Sequence, residues 1–391
     1  MIIELKEYET QSLSQAILSP SLGEQLWRDY DARSGQLHVE EPSFRNQQQW
    51  QITSQGWVGM IPLTADLHLH LLPKTPIHNL FRMLEYAYQL QSFQLLDGLT
   101  GLSSLDEFYE RLAHILAQKV KQRAQQGLHH SYIPQRQSLP YVRGRLQQSW
   151  PQPWQTAVPC HYAHFTADIP DNQILAYTLR RIALSHVCGG GVQTAVRQAY
   201  RAVKGAVSEM EVSVSEVINR FYTRLNQDYQ PMHALCRFFL EHTGPSHQVG
   251  DHEMIPFLVN MARLYELFVA EWLKANLPPP WRVKAQEKLH IGPHNELQFE
   301  IDLVIEDSAG KARYVLDTKY KTAAKPAPAD INQIIAYATA KNCPNAILIY
   351  PAPLSQPLNI HLDNIHIRTL PFSLANDLEG AGNNFLNGLF Q

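Results

Sequence analysis

Asp302, Asp317 and Lys319 are the residues through which this chain of 391 could do chemistry. Two carboxylates that converge can hold a hard, oxygen-loving cation such as Mg²⁺ or Mn²⁺. A cation held in that way polarises a phosphodiester and activates water, while a neighbouring ammonium steadies the developing charge. The local pattern supplies the convergence. From Glu296 to Lys319 the chain reads as a β-hairpin, with Leu297, Phe299 and Ile301 alternating with polar residues before Leu303, Val304 and Ile305. Asp307-Ser308-Ala309-Gly310 makes the turn, and Tyr314 to Thr318 returns as a second strand. Period two puts Asp317 and Lys319 on one face at the end of that strand. An Asp-x-Lys at a strand end is common without function, so the flanking elements carry the rest of the argument.

Upstream, Met261 to Leu273 is an amphipathic helix carrying Glu266. Downstream, Asp330 to Ala340 reads as a helix with Asp330 as acidic N-cap and Gln333 and Tyr337 spaced i, i+4. Asn345 to Tyr350 is a buried strand stopped by Pro351. The set Asp302-x14-Asp317-Thr318-Lys319, in the order helix, strand, strand, strand, helix, strand, resembles the PD-(D/E)xK nuclease superfamily. The departure is Ile301, which stands where the superfamily's motif has proline. The resemblance implies a mixed sheet flanked by helices and a Mg²⁺-dependent endodeoxyribonuclease. It implies Asp302 and Asp317 as metal ligands, Glu266 as a nearby or water-mediated one, Lys319 as the catalytic ammonium and Gln333 as an accessory catalytic residue.

The elements that must position this site occupy the rest of the chain. Residues 1 to 95 read as β-rich, with short strands at 2–5, 36–40, 50–54, 57–61 and 66–72 and helices over 11–18 and 79–90. Residues 96 to 245 read as mainly helical and basic. Helices are expected at 104–126, with a Ser104/Glu107 capping box, and at 172–188, closed by Gly189-Gly190-Gly191; others fall at 192–204, 213–225 and 232–242. Tyr141 to Phe165 interrupts them with three prolines, Trp150, Trp154 and Arg143-Gly144-Arg145, and reads as projecting strands. A strand there would place Arg143 and Arg145 on one face, two cations for a partner or for DNA, with the tryptophans as anchors. A loop-like join at 244–250 leads into the nuclease core, whose tail adds strands at 360–362 and 365–369 and a loose Gly380-Ala381-Gly382. The fold expected is α+β / α/β and multidomain, divided 1–95, 96–245 and 246–391.

Val58 to Pro62, Leu72 to Pro76, Asn79 to Ala87, Leu139 to Leu146 and Asp171 to Leu175 precede the hairpin motif in that order. Together they resemble the McrC family, the nuclease subunit of modification-dependent McrBC restriction systems, over nearly the full chain. The resemblance implies an AAA+ partner, a McrB-like GTPase or ATPase hexamer, on which the subunit docks and which it stimulates. The substrate it implies is double-stranded, modified DNA.

Composition narrows the alternatives. There is no Gly-x4-Gly-Lys-Ser/Thr, so the chain does not hold nucleotide by a P-loop. Four cysteines without a Cys-x-x-Cys pair argue against structural zinc or a disulfide framework. His68 and His70 share a strand face without a third ligand, and no histidine is assigned to catalysis. The net charge of −3 divides into +10 over residues 111–204 and −13 elsewhere. Such a local excess suits a phosphate backbone, though a solvated helical face accounts for it equally. No apolar run approaches the roughly 20 residues of a membrane helix, and the start lacks a signal peptide's basic and apolar regions. A cytoplasmic protein without membrane contact is expected. Two other readings compete: a stand-alone nuclease that needs no motor, and a nuclease-fold adaptor that has lost catalysis. The intact Asp302, Asp317, Lys319 set speaks against the second.

Overall fold

The computed structural model describes residues 1–64, 67–90, 104–146, 156–185, 188–243, 247–249, 252–254, 256–291, 297–321, 323–375 and 377–391. Its contacts separate two units, Met1–Phe108 with Pro256–Gln391, and Tyr109–Ile255.

The first unit begins with six strands, β1 (Ile2–Lys6), β2 (Thr10–Leu13), β3 (Leu37–Glu40), β4 (Trp50–Ser54), β5 (Trp57–Pro62) and β6 (His68–Leu72). β2, β4 and β3 form one antiparallel sheet, while β1, β6 and β5 belong to another. Ile3, Leu5, Leu26, Tyr30, Trp50, Ile52 and Leu69 meet in one core. The helix expected over 11–18 is not formed. Thr10 to Leu13 pair instead with Thr53 to Trp50, and the Thr10 and Thr53 hydroxyls lie 2.7 Å apart. A cross-strand partner outweighs local helical spacing there. Helix α1 (Pro20–Leu26) starts only where Pro20 presets its first turn. Helix α2 (Ile77–Ala87) follows, amphipathic as expected.

Helix α3 (Leu105–Gln126) crosses into the second unit, with Ser104 Oγ accepting from the Glu107 N–H at 3.2 Å. Next come β7 (Ser131–Leu139), β8 (Arg145–Leu146) and β9 (Val158–Thr166), then helices α4 (Pro170–Leu184), α5 (Gly190–Lys204), α6 (Val214–Ile218) and α7 (Tyr229–His242). The short strands β10 (His247–Val249) and β11 (His252–Met254) form a hairpin. Two expectations change. Helix α4 stops at Leu184, so the glycine run does not close it; Gly189 is the N-cap of α5. The helix expected over 213–225 is the five-residue α6, capped by reciprocal Ser213 and Glu216 bonds. Buried polar groups tie the helices: Tyr229 donates to Asn172 Oδ1 at 2.7 Å, and Asn226 Nδ2 to Asp171 Oδ2 at 3.0 Å.

The chain re-enters the first unit at β12 (Phe257–Asn260), which pairs antiparallel with β5. Gly59 makes that pairing possible: at φ 142°, a Cβ there would sit 2.0 Å from the Phe257 carbonyl oxygen. The boundaries expected at 95 and 245 therefore do not separate three bodies, since this strand joins the first and last segments. Helix α8 (Met261–Asn276) precedes β13 (Arg282–Ile291), β14 (Leu297–Glu306) and β15 (Ala312–Thr318). Helix α9 (Pro328–Ala340) then crosses to β16 (Asn345–Tyr350), which runs parallel to β15. β17 (Asn359–Leu362) and β18 (Ile365–Pro371) complete one six-stranded sheet in the order β13-β14-β15-β16-β18-β17. Val315, Ala346, Leu348 and Ile367 bury against Ile334, Tyr337 and Ala338 of α9. The N-cap of α9 is Ala327, with Pro328 in the first turn, so Asp330 lies inside the helix rather than capping it.

The segment expected to be loose, Gly380 to Gly382, lies in helix α10 (Leu378–Leu389), capped by Asp377 Oδ2 accepting from the Gly380 N–H at 2.9 Å. Glycine is used here for close approach, because a Cβ on Gly382 would stand 2.1 Å from the Trp272 ring. That ring is wedged edge-on against Phe372 and has little room to yield. Gly382→Ala should therefore lower stability by about 1–3 kcal/mol despite alanine's better helix propensity. At Gly380 a Cβ meets only Asp377 Oδ2 at 3.4 Å, so Gly380→Ala should be neutral or stabilising. Denaturant midpoints that fall equally for the two variants would refute the packing account.

Candidate active site at the end of β15

The site is built where the pairing between β14 and β15 ends. β14 and β15 pair antiparallel as far as Leu303↔Leu316. One step on, the register sets Asp302 opposite Asp317, and side chains take over from the backbone ladder. Asp302 Oδ2 accepts from the Thr318 N–H at 2.8 Å and from Thr318 Oγ1 at 2.9 Å. On the other side β15 pairs with β16 through Asp317↔Leu348 and Thr318↔Ile349, and the Lys319 N–H reaches the Ile349 carbonyl at 2.8 Å. Asp317 is thus fixed in a central strand with its side chain 1% exposed.

Lys319 Nζ lies 2.6 Å from Asp317 Oδ2, as the shared strand face requires. The same ammonium donates to Gln333 Oε1 at 3.0 Å, and Gln333 Nε2 donates to the Tyr337 hydroxyl at 2.7 Å. One turn of α9 therefore aims the lysine. Glu266 stands on α8 and accepts from Gln286 Nε2 at 3.2 Å. Asp330 pairs with Lys321 and accepts from the Tyr350 hydroxyl at 3.4 Å. Asp302, Asp317, Lys319 and Gln333 are brought together as the spacing required. Thr318, Gln286 and Asp330 also belong to the surroundings. Thr318 was visible inside the Asp-Thr-Lys motif, whereas nothing in the sequence marks Gln286.

The sequence model for "McrBC 5-methylcytosine restriction system component" matches residues 52–351 of this chain. The chain belongs to the McrBC family. A curated relative, the type IV methyl-directed restriction enzyme EcoKMcrBC of Escherichia coli K12, is 23% identical over 225 residues, 52% of this chain. The match spans 60% of that relative's length. A solved structure of Thermococcus gammatolerans McrB AAA+ hexamers with bound McrC aligns over 100% of this chain and 99% of its own, at TM-score 0.55 and 19% identity. At that identity the likeness is one of fold. A second structure, of the Thermococcus gammatolerans McrBC complex, aligns over 71% of this chain and 88% of its own, with TM-score 0.43 and 20% identity.

Electrostatics in this McrBC-family chain single out Asp317. Burial, then the Asp302 charge, pushes its pKa up to about 7 against the opposing pull of Lys319. Burial pulls the Lys319 ammonium down, but Asp317, Asp302 and Asp330 more than reverse this and raise it. Glu266 is raised by burial and by Asp302, with Gln286 and Arg263 opposing. Lys319 is the one donor at Asp317 Oδ2, while Oδ1 is buried without a hydrogen-bond partner. A buried carboxylate with one unpartnered oxygen, beside a second carboxylate, is a donor set that a hard divalent cation fits. The residues that would hold such a cation are Asp302 and Asp317, with Glu266 on α8 close enough to feel the Asp302 charge.

Other candidates resolve differently. His70 Nε2 lies 3.7 Å from Asp106 Oδ2. Arg143 and Arg145 do not share a strand face, because Gly144 turns the backbone left-handed at φ 71° and β8 begins only at Arg145. The Arg143 guanidinium lies 4.2 Å over the Tyr162 ring, while Arg145 pairs with His161 in the ladder. Trp150 and Trp154 lie outside the described residues, as does most of the join at 244–250.

The raised Asp317 pKa has a consequence for stability. Its folded value is about 7 against an ordinary 3.8, so over that window the folded chain keeps a proton that the unfolded chain has released. Stability contributed by this group therefore falls as pH rises from 3.8 to about 7 and levels off above. In chelator, Asp317→Asn should be more stable than wild type above pH 7, by up to a few kcal/mol at about 1.4 per pKa unit. The difference should close below about pH 4. Parallel stability–pH curves for the two proteins would rule this out.

Proposed function

We propose that this chain is the DNA-cleaving subunit of a McrBC-type restriction system, hydrolysing phosphodiesters at Asp302 and Asp317 with Mg²⁺ or Mn²⁺. The observation that carries the reading is the buried Asp317 carboxylate at a strand end, beside Asp302, with Oδ2 on Lys319 and Oδ1 without a hydrogen-bond partner. A divalent cation bound there supplies Lewis-acid polarisation and an activated water. Thr318 fixes the direction of the Asp302 carboxylate. Lys319, aimed by Gln333, offers its ammonium to the charge that gathers on the phosphate oxygens. Tyr337 holds Gln333 in turn.

The partner we infer is a McrB-like AAA+ ring using GTP, and the substrate double-stranded DNA carrying methylated cytosine. Family membership, the bound McrB and McrC named for the similar fold, and the missing P-loop support the first. The 5-methylcytosine in the family's description and the methyl-directed restriction of the relative support the second. The hairpin of β7 and β9 is the contact we favour for the ring, since it pairs nine rungs and exposes Tyr132 and Phe165, whose rings adjoin, with His130 stacked on Phe165.

With a cognate ring and methylated DNA, Asp317→Asn should reduce cleavage by about 100-fold or more while leaving ring binding and stimulated GTP hydrolysis intact. In a thermal-shift assay Mn²⁺ should raise the wild-type midpoint and leave that of Asp317→Asn unmoved. Cleavage by the variant at the wild-type rate would defeat the assignment. Efficient cutting without any ring would favour the stand-alone nuclease, and stimulation without cutting the silent adaptor. Replacing Arg143 and Arg145 together with alanine should weaken ring binding or stimulation. Unchanged complex formation and stimulation would remove these two arginines from the interface, and the same outcome for Tyr132→Ala with Phe165→Ala would remove the hairpin, leaving the nuclease reading untouched.

A further inference from the structure

Between β13 and β14 every rung from Arg282↔Glu306 to Ile291↔Leu297 is paired except one, Gln286 opposite Asp302. The register is the same on both sides of the gap, Ala285↔Leu303 and Glu287↔Ile301, so no residue has been inserted as in a bulge. The gap arises because Gln286 has φ 52°. Six other non-glycine residues among those described have positive φ, namely Tyr8, Gln47, Gln48, Gln89, Asn342 and Asp363. All six lie in turns, and Gln286 is inside a strand.

A left-handed backbone at a non-glycine strand residue is unfavourable and persists only where surrounding contacts impose it. Packing does not explain it here, because Gln286 is exposed. What the conformation achieves is local to the site. It removes the backbone rung beside Asp302, and it brings the Gln286 amide to Glu266 Oε1 at 3.2 Å.

Resting on the nuclease reading above, we propose that Gln286 is a positioning residue of the reaction centre, its strained backbone freeing Asp302 and its amide holding Glu266 beside the metal pair. The residue acts through Glu266 and Asp302 rather than on the phosphodiester. Groups that orient the ligands of a metal commonly change metal affinity or activity by about 10–100-fold when removed.

The test compares Gln286→Gly with Gln286→Ala in the full chain, by denaturant unfolding, by cleavage with the ring partner, and by Mn²⁺ titration. Gln286→Gly relieves the backbone, so its unfolding midpoint should lie above that of Gln286→Ala and at or above wild type. Both variants should cleave about tenfold more slowly or worse and need more Mn²⁺ for half-maximal rate. In a Glu266→Ala background, Gln286→Gly should cost little further. Gain of stability with loss of function is the signature that a merely structural residue would not give. The proposal is overturned if wild type cuts and Gln286→Gly cuts equally well with the same Mn²⁺ dependence, or if Gln286→Gly unfolds as early as Gln286→Ala. If wild type neither cuts nor gains stability from Mn²⁺, the nuclease reading itself falls and this inference with it.

Discussion

Burying the Asp317 carboxylate is the constraint to which its surroundings answer. A carboxylate withdrawn from water is costly unless charge or hydrogen bonds replace the solvent. Its own strand gives none of this relief, since Val315 and Leu316 before it and Leu348 across the ladder are apolar and buried. Asp302 opposite adds repulsion. The nearest compensation is one ammonium, which Gln333 and Tyr337 hold in place from a crossover helix. The remainder is met by a proton, which is why the group titrates near neutrality. A divalent cation would reverse both the desolvation and the repulsion, and the proposed chemistry follows from that unsatisfied demand.

The strand end is braced from a distance in sequence. Tyr320, which follows Lys319, donates its hydroxyl to Glu7 Oε2 at 3.2 Å, and its ring lies 5.9 Å from that of Tyr265, the neighbour of Glu266. Asn79 Nδ2 donates to the Leu374 carbonyl at 2.8 Å, and Arg82 bonds Glu379 at 3.0 Å. With β12 laid on β5 across Gly59, these contacts make the β-rich beginning of the chain part of the body that holds the site. The second unit is organised on another principle, helices joined by buried polar pairs, with a long hairpin on which Tyr132 and Phe165 remain in water.

The sequence by itself determined the parts whose information is local. Alternation and a turn cluster specified the hairpin of β14 and β15, and two-residue spacing placed Lys319 beside Asp317. The i, i+4 spacing of Gln333 and Tyr337 likewise foretold their bond on one helix face. The order and type of the elements from β14 to β16 followed from periodicity, because the hairpin alternates and the crossover helix and the buried strand after it are clearly bounded.

Tertiary structure decided the rest, wherever a distant partner outweighs the local preference. Residues 10–13 became a strand because β4 offered hydrogen bonds. Gly380 to Gly382 became helix because Asp377 caps it and Gly382 lets it pack closely on Trp272. The arginines around Gly144 were parted by a left-handed turn that sequence spacing cannot reveal. The first and last segments became one unit through a four-residue strand too short to announce its partner. Gln286 is the sharpest case. The role proposed for it depends on a backbone angle that glutamine does not favour and on a bond to Glu266 that only the folded chain brings within reach.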